Sequence, residues 1–437
     1  MKRAAVVGAG LAGCEAAWQL ARRGVPVDLI EMKPRLRTPA HESPLFAELV
    51  CSNSLKSNAL TNASGLLKEE MRRVGSLIMQ AADATRVPAG GALAVDRGLF
   101  ARYVTDALAG CPSVRIVSEE VCSLPDAPAI IATGPLTSPA LSDAIAALPG
   151  LERLYFFDAA APIVTGESID RTRAFEAARY DKGDGDYLNC PMTEAEYDAF
   201  IGELLCAETA PVHGFEEDRL YEGCMPVESI ARRGRLALAY GPMRPVGLID
   251  PRAGRRPFAV VQLRRENAEG TLWNLVGFQT RLRFGEQKRV FGMIPGLERA
   301  EFARYGVMHR NTYLHSPSIL NERFEARGYR GLYFAGQITG VEGYLPSAAS
   351  GLIAGISLAR DMLALAQVVF PGCTALGALG RYVSSPNKDY QPMGIQYGLI
   401  DTPEPRIRNK RLRAERVAER SLETIENIRR ALEEEIT

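Results

Sequence analysis

The opening stretch of the chain, MKRAAVVGAGLAGCEAAWQLARRGVPVDLIE, places the strongest constraint on the fold. A short apolar run leads into glycines spaced as G-x-G-x-x-G, an alanine-rich segment follows, and a second apolar run ends in an acidic residue. This order predicts a strand, a tight turn, a helix and a second strand. A βαβ unit of this kind binds a dinucleotide at its first turn.

Each residue of the motif has a physical role in such binding. Gly8 permits the turn, Gly10 lets the backbone approach a pyrophosphate, and Gly13 lets the helix pack closely on the strand. The N–H groups that begin at Ala9 face the phosphates at the helix N-terminus. Glu31 stands where an acidic residue accepts a hydrogen bond from a ribose hydroxyl. The alternative, a glycine-rich turn in an ordinary βαβ unit, does not explain this acidic residue.

Two later segments repeat the strand-to-helix pattern. AIIATG, residues 129–134, predicts a short buried strand, and GLYFAGQ, residues 331–337, predicts another strand before a helix of small residues. In this order after G-x-G-x-x-G, the pattern is typical of FAD-binding proteins and predicts FAD contacts at Thr133, Gly134, Gly336 and Gln337. Many FAD proteins carry aspartate where Gln337 stands, and its amide can still bond a ribityl hydroxyl. The alternative is that each segment is only a further βα unit.

The length of 437 residues predicts two or three domains. Residues from about 160 to 325 differ from their flanks, because glycine and charge clusters alternate there with short β-rich runs. We expect an α/β fold with a Rossmann-like, glutathione-reductase-like FAD-binding domain over 1–160 and 325–437. An inserted α+β substrate domain is expected over 161–324. An apolar stripe at helical spacing predicts one helix over 64–82, and Thr193-x-x-Glu196 predicts a capping box.

Charge and cysteine content limit the partners and the compartment. Basic and acidic residues balance at 52 each, so a polyanionic partner requires a local basic patch. No export signal or membrane-length apolar run is present, and the eight cysteines show neither C-x-x-C nor zinc spacing. We expect a cytoplasmic protein with reduced thiols, without a metal or a membrane segment.

Two cysteines stand in turns rather than in apolar runs. Cys51 lies in CSNS, and Cys224 lies between glycine and Met-Pro in YEGCMPVES. Structural cysteines usually behave as small buried hydrophobes. We expect that role for Cys14, Cys111, Cys122 and Cys206. For Cys51, a chemical role and a packing role are both open on these grounds alone.

Taken together, these segments resemble a known family. The motifs are G-x-G-x-x-G at Gly8, CSNS at Cys51, ATG at residues 132–134, GQITGVEGY at residues 336–344 and PMGIQYGL at residues 392–399. They are similar to those of the folate- and FAD-dependent tRNA uracil-5-methyltransferases, relatives of the tRNA-modifying flavoprotein GidA. The resemblance covers nearly the whole chain. CSNS and the lack of GidA's additional C-terminal helical domain favour the methyltransferases.

The resemblance implies a reaction. Methylenetetrahydrofolate would supply the carbon, reduced FAD the hydride, and NAD(P)H the electrons for the flavin, with 5-methyluridine in the T-loop of tRNA as the product. The family uses a cysteine pair that matches Cys51 and Cys224. Uracil C5 reacts only after a thiolate adds to C6, and a base must then remove the C5 proton. Which cysteine attacks C6 does not follow from the sequence. A monomer or weak homo-oligomer is expected.

Further residues are candidates for folate and tRNA. An aromatic ring should cover the folate, and His309 or Tyr344 could supply it, although His309 could equally be a core or surface histidine. The inserted domain and the C-terminal helix carry basic clusters that could bind tRNA phosphates. The candidates are Arg281, Arg283, Lys288, Arg406, Arg408 and Arg411. Charged helices of this kind are most often only solvated faces.

Rival functions fit parts of the same pattern. These are a flavin-dependent oxidoreductase acting on a small substrate, a GidA-like modification of the wobble uridine, and a flavin-bearing tRNA-binding protein without turnover. The lack of C-x-x-C argues against a disulfide reductase.

Overall fold

The computed structural model describes residues 2–38, 40–149, 153–181, 186–211, 225–387, 390–403 and 407–434. In chain order the strands are β1 (Ala4–Val7), β2 (Val27–Glu31), β3 (Ser54–Ser57), β4 (Arg86–Val87), β5 (Ala92–Val95), β6 (Val114–Ser118), β7 (Ala129–Ile131), β8 (Arg153–Ala159), β9 (Ile163–Thr165), β10 (Phe175–Glu176), β11 (Tyr187–Met192), β12 (Ala259–Arg265), β13 (Leu272–Leu275), β14 (Phe302–Arg304), β15 (Met308–Leu314) and β16 (Leu332–Phe334). The α-helices are α1 (Leu11–Ala21), α2 (Ala63–Arg73), α3 (Leu77–Ala84), α4 (Arg97–Ala109), α5 (Pro139–Ala146), α6 (Glu194–Cys206), α7 (Val227–Arg232), α8 (Ala237–Tyr240), α9 (Phe284–Phe291), α10 (Ser316–Ile319), α11 (Tyr344–Met362), α12 (Ala375–Ser384) and α13 (Lys410–Glu434).

A parallel sheet carries the predicted dinucleotide motif. Its strand order is β16-β7-β1-β2-β6, so β1 lies at the centre, with Val6 opposite Leu29 on one side and Ile130 on the other. Because parallel strands all end at one edge, the segments that follow β1, β2, β7 and β16 meet there. This topology is the doubly wound α/β arrangement predicted from the sequence.

Helix α1 packs closely on the turn after β1 and on α11, because glycines leave no side chains in these contacts. A Cβ atom at Gly13 would lie far inside 3.0 Å of the Gly8 carbonyl oxygen, and one at Gly351 equally close to the carbonyl oxygen of Ala12. Helix α11 is buried from Leu345 through Arg360. It begins at Tyr344 and carries Pro346 in its first turn, where proline is tolerated.

A second sheet has the order β10-β11-β12-β13-β9-β14, and all of its strand pairs are antiparallel. Its β11–β12 pair is antiparallel, with Tyr187 opposite Arg264 at one end and Met192 opposite Ala259 at the other. Helix α6 packs on this sheet and begins with the predicted capping box between Thr193 and Glu196. The β11–β12 pair therefore runs from Arg264 at one end to the start of α6 at the other.

The predicted single helix over 64–82 was wrong, because the structure has two helices, α2 and α3. Gly75 adopts a left-handed backbone with φ of 77°, and the Ser76 side chain accepts a hydrogen bond from the Met79 N–H as the cap of α3. The apolar stripe that suggested one helix is still buried, since both helices face the same core. Its members are Leu67, Met71, Val74 and Ile78.

The apolar residues form two main cores. One draws on residues 4–145 and 314–432, and the other on residues 164–300. The division into an FAD-binding domain and an inserted domain, with bounds at 160/161 and 324/325, stays a prediction. Within the described residues, no helix is long and apolar enough to cross a membrane.

Candidate active site

A cleft lies at the carboxyl edge of the parallel sheet and gathers the predicted cofactor residues. It contains about 1130 Å³ of empty space, its open mouth included. The predicted residues that line it are Gly8, Ala9, Gly10, Glu31, Thr133, Gly134, Gly336, Gln337 and Tyr344. Gly13 does not line the cleft, because it lies behind Gly8 at the helix–strand contact.

The cleft has room for a phosphate group at the start of α1. Gly8 has a φ of +95°, and a Cβ there would lie 2.6 Å from the Ala132 carbonyl oxygen. At Gly10, by contrast, an added Cβ would meet no protein atom within 4 Å. The space in front of Gly10 is therefore open cleft, and it faces the unpaired N–H groups of the helix N-terminus. This geometry fits a pyrophosphate.

Glu31 closes the cleft beside this turn. Its carboxylate accepts hydrogen bonds from the N–H groups of Ala9 at 2.7 Å and of Lys33 at 3.0 Å. These two bonds hold the end of β2 against the glycine turn. Carboxylate oxygens accept more than one hydrogen bond, so Glu31 can also accept one from a ribose hydroxyl in the cleft.

The loop after β2 contributes lining residues that the sequence did not single out. Thr38 and His41 line the cleft, and the Thr38 hydroxyl lies 2.6 Å from the His41 Nδ1 atom. Burial lowers the pKa of His41 and favours the neutral ring. The length and polarity of the loop were visible signals of function, but they did not identify these two side chains.

At the far end of the cleft, Gln337 faces a buried acid. Its Nε2 atom donates to the two carboxylate oxygens of Glu342 at 3.2 and 3.1 Å. Because a carboxylate only accepts, the amide oxygen of Gln337 is the atom left for a ligand hydroxyl. This orientation suits the predicted bond to a ribityl chain.

Cys51 directly follows Val50, which lines the cleft, and its backbone is bound to Tyr344, which also lines it. The Tyr344 hydroxyl oxygen accepts hydrogen bonds from the N–H groups of Cys51 at 2.7 Å and Ser52 at 3.1 Å. Burial raises the pKa of Tyr344, so the hydroxyl stays neutral. The Cys51 thiol is half-buried, and its Sγ atom lies 3.9 Å from the Ala159 carbonyl oxygen.

Two arginines, the half-buried Arg97 and the buried Arg264, hold the same loop from other directions. Arg97, on α4, donates to the Cys51 carbonyl oxygen at 3.2 Å and pairs with Glu266. Arg264, on β12, donates to the Ser52 hydroxyl at 2.7 Å and to the Asn53 side-chain oxygen at 2.8 Å. The cysteine loop is therefore fixed between the parallel sheet and the second sheet.

The remaining described cysteines range from buried to exposed. Burial raises the pKa of the Cys14 thiol, and it raises that of Cys190 to about 12. The expectation that Cys122 and Cys206 are hidden was wrong, since both are exposed. Cys206 is the last residue of α6, where the helix leaves its core contact. Cys111 is half-buried.

Three predicted residues cannot be placed fully. Cys224 and Arg406 lie outside the described residues. The backbone of His309 lies in β15 opposite Asp158, and β15 packs beside the turns at residues 134–136 and 337–339, but the His309 side chain lies outside the described part. The described residues contain no group of three or more histidine, cysteine, aspartate or glutamate side chains suited to a metal ion.

The predicted tRNA-binding residues differ in how available they are. Arg281 is mostly buried, with its Nε atom 4.0 Å from the Glu228 carboxylate. Exposed Arg283 pairs with Glu208 at 2.9 Å. Lys288, Arg408 and Arg411 are exposed, and Arg411 pairs with Glu415 at 3.0 Å.

Comparison with known proteins places the chain in a family. The model of the family described as "Glucose inhibited division protein A" matches residues 3–366. The methylenetetrahydrofolate--tRNA-(uracil-5-)-methyltransferase TrmFO of Staphylococcus carnosus is 56% identical over 429 residues, which cover 98% of each chain. The protein of the same name from Heliobacterium modesticaldum is 58% identical over 423 residues, which cover 96% of each chain.

Among solved structures, GidA of Aquifex aeolicus in its form II crystal aligns with a TM-score of 0.69 and 16% identity. The alignment covers 99% of this chain and 75% of that one. This likeness shows the predicted Rossmann-like fold. Since the family model spans most of the chain and the relatives are more than half identical over nearly all of it, the chain belongs to the glucose inhibited division protein A family and, within it, to the branch of the methylenetetrahydrofolate--tRNA-(uracil-5-)-methyltransferases.

Proposed function

We propose that the protein methylates C5 of the T-loop uridine of tRNA to 5-methyluridine, with 5,10-methylenetetrahydrofolate as the carbon donor. FAD, reduced by NAD(P)H, supplies the hydride when bound in the cleft. The relatives' shared name supports the tRNA and folate substrates. One structural observation carries the site: the backbone of Cys51 is fastened to Tyr344, which itself lines the dinucleotide cleft.

The chain's own groups fit FAD along the whole cleft. The open space at Gly10 and the N-terminus of α1 would hold the pyrophosphate, Glu31 a ribose, and the Gln337 amide the ribityl chain. The flavin ring would then lie toward Tyr344, beside the Cys51 loop. Tyr344 or His309 covers the folate in this proposal.

Thiol chemistry explains why a cysteine stands at this edge. Addition of a thiolate to uracil C6 makes C5 nucleophilic, and a base then takes the C5 proton. Cys51 and Cys224 divide these two tasks in the proposal. For Cys51, the hydrogen bonds from its N–H and to its carbonyl oxygen fix the backbone, so the thiol reaches the substrate from one defined position.

A methylation assay tests the proposal directly. The purified protein should be yellow, and with NAD(P)H and labelled methylenetetrahydrofolate it should label unmodified tRNA in the T-loop. S-adenosylmethionine alone should give no product. Label at the wobble position would favour the GidA-like alternative, and NAD(P)H oxidation without RNA labelling would favour a small-substrate oxidoreductase.

Cysteine variants test the assignment of the thiols. Cys51→Ala and Cys224→Ala should each lose methylation by several orders of magnitude and keep the flavin, whereas Cys206→Ala should stay active. A T-arm hairpin with 5-fluorouracil should form a covalent adduct with one of the pair, because fluorine cannot leave as a proton does. Normal methylation by both alanine variants would exclude thiol catalysis by this pair.

A further inference from the structure

A second cleft lies in the inserted domain, at the end of the β11–β12 pair away from Cys51. It contains about 1650 Å³ of empty space, its open mouth included, and borders Met192 at the end of β11 and Phe258 just before β12. Five residue steps of β12 separate Ala259 at this end from Arg264 beside the cysteine loop. At the rise of a β-strand, that separation is ~17 Å.

The charges in this cleft do not cancel. Its three acidic residues are each paired with an arginine: Glu194 with Arg235, Glu196 with Arg173 and Asp250 with Arg252. Three further arginines line the cleft, are exposed, and have no ion pair within the described residues. They are Arg244, Arg255 and Arg256. The cleft therefore carries an excess of unneutralised positive charge, although the whole chain has none.

Ordered backbone presents these arginines. The loop from Asp250 to Arg255 is closed by hydrogen bonds from the Asp250 N–H to the Arg255 carbonyl oxygen at 3.1 Å and from the Gly254 N–H to the Asp250 carbonyl oxygen at 2.8 Å. Arg179 donates to the carbonyl oxygens of Arg244 and of Val246, and so fixes the other segment. A preorganised loop loses little conformational entropy when it binds.

An aromatic ring accompanies the charge. Tyr240, the last residue of α8, lines the cleft and is 78% exposed. Arginine side chains and an exposed aromatic ring are the groups that hold RNA phosphates and stack on unpaired bases. An acidic protein partner would account for the exposed arginines but not for the exposed aromatic ring of Tyr240.

We propose that this arginine cleft binds the phosphate backbone of the tRNA body, while the target uridine lies at Cys51. The inference rests on the proposed function and adds the surface that holds the substrate. A stacked strand carries a charge about every 3.4 Å, so the ~17 Å of β12 between the cleft and Arg264 corresponds to about five nucleotides. One tRNA arm can therefore reach both. The sequence-predicted cluster at Arg281 and Arg283 is less suited, because Glu228 and Glu208 neutralise it.

The salt dependence of tRNA binding tests this surface. In the triple variant Arg244→Ala, Arg255→Ala, Arg256→Ala, the slope of log Kobs against log salt should fall by about one for each lost contact, up to about three. A matched triple variant of paired arginines outside the cleft should change the slope by less than one, although it removes the same formal charge. Its substitutions are Arg115→Ala, Arg171→Ala and Arg289→Ala.

Kinetics separate binding from chemistry. Because the cleft lies at the end of β12 away from the Cys51 loop, the cleft variant should raise KM for tRNA and keep kcat at saturating tRNA. Tyr240→Ala should weaken tRNA binding by roughly tenfold, as the loss of one stacked base does. The flavin content and Tm of each variant show whether it is folded. If the triple variant does not fold, the single variant Arg256→Ala is used instead, with an expected slope change of about one.

The outcomes distinguish the two proposals. If the wild-type protein neither binds nor methylates tRNA, the proposed function fails. If the wild-type protein methylates tRNA and the cleft variants keep its salt slope and KM, or lose kcat with KM unchanged, the arginine cleft is not the tRNA surface. Equal slope loss in the matched triple variant would also overturn the inference, since total charge alone would then explain the binding.

Discussion

Removing the hydroxyl of Tyr344 should cost both stability and turnover. Tyr344→Phe keeps the ring in the cleft but deletes the acceptor of two N–H groups, those of Cys51 and Ser52. A buried donor left without a partner costs about 1–3 kcal/mol. The two donors together therefore give an upper limit of about 6 kcal/mol. Since Tyr344 lines an open cleft, water can replace part of the loss, and we expect about 1–3 kcal/mol.

The effect on catalysis follows from the position of the cysteine. A shift of the loop by about 1 Å would lower kcat by roughly a hundredfold. FAD content and KM for tRNA should change little, because the ring and the rest of the cleft remain. Thermal unfolding and single-turnover methylation measure the two effects.

A second tyrosine provides the control. The Tyr197 hydroxyl donates to the Arg235 carbonyl oxygen at 2.7 Å and accepts from the Ala239 N–H at 3.3 Å, within the inserted domain. Tyr197→Phe should lose stability with kcat unchanged. If Tyr344→Phe keeps the wild-type Tm and kcat, or if both variants lose kcat equally, the anchoring of Cys51 through Tyr344 is refuted.

Three further changes test other parts of the structure. Gly10→Val should abolish FAD binding by filling the phosphate space, read from the visible spectrum of the purified variant. Gly351→Ala should destabilise the fold by more than about 3 kcal/mol, because the new methyl group meets the Ala12 carbonyl oxygen. The control Gly202→Ala in α6 meets no neighbouring atom and should stabilise the fold by up to about 1 kcal/mol. Denaturant titrations measure both changes. Burial raises the pKa of Glu70 to about 7, so the folded protein holds a proton that the unfolded chain releases, and the free energy of unfolding should fall as pH rises from about 4.5 to about 7. The fall is of the order of 3 kcal/mol at about 1.4 kcal/mol per pKa unit, and a titration series on Glu70→Gln that keeps the same pH slope would contradict it.

The sequence predicted those features whose causes lie within one segment. Gly8, Gly10 and Glu31 act within one βαβ unit, and the common edge of parallel strands brings Thr133 and Gln337 to the same cleft. The break between α2 and α3 was also local, at Gly75 and Ser76, but the continuous apolar stripe outweighed it. Residue spacing within one segment therefore predicts the local structure where a single physical requirement determines that spacing.

The surroundings of Cys51 could not be predicted in this way. Arg264 lies 212 residues from Ser52 in the chain, and Tyr344 lies 293 residues from Cys51. No periodicity links such residues, since only the packing of the two sheets brings them together. Exposure of Cys206 was missed because its helix carries apolar residues up to its end.

The arrangement of β12 limits how this protein can be rebuilt by evolution or by design. One end of the strand holds the Cys51 loop through Arg264, and the other end borders a separate basic cleft. An exchange of the inserted segment for one that recognises another substrate would therefore also release Ser52 and Asn53 from their partner. The inserted domain therefore cannot be exchanged independently of the rest of the chain. A redesign for another substrate must keep Arg264 and its hydrogen bonds to Ser52 and Asn53.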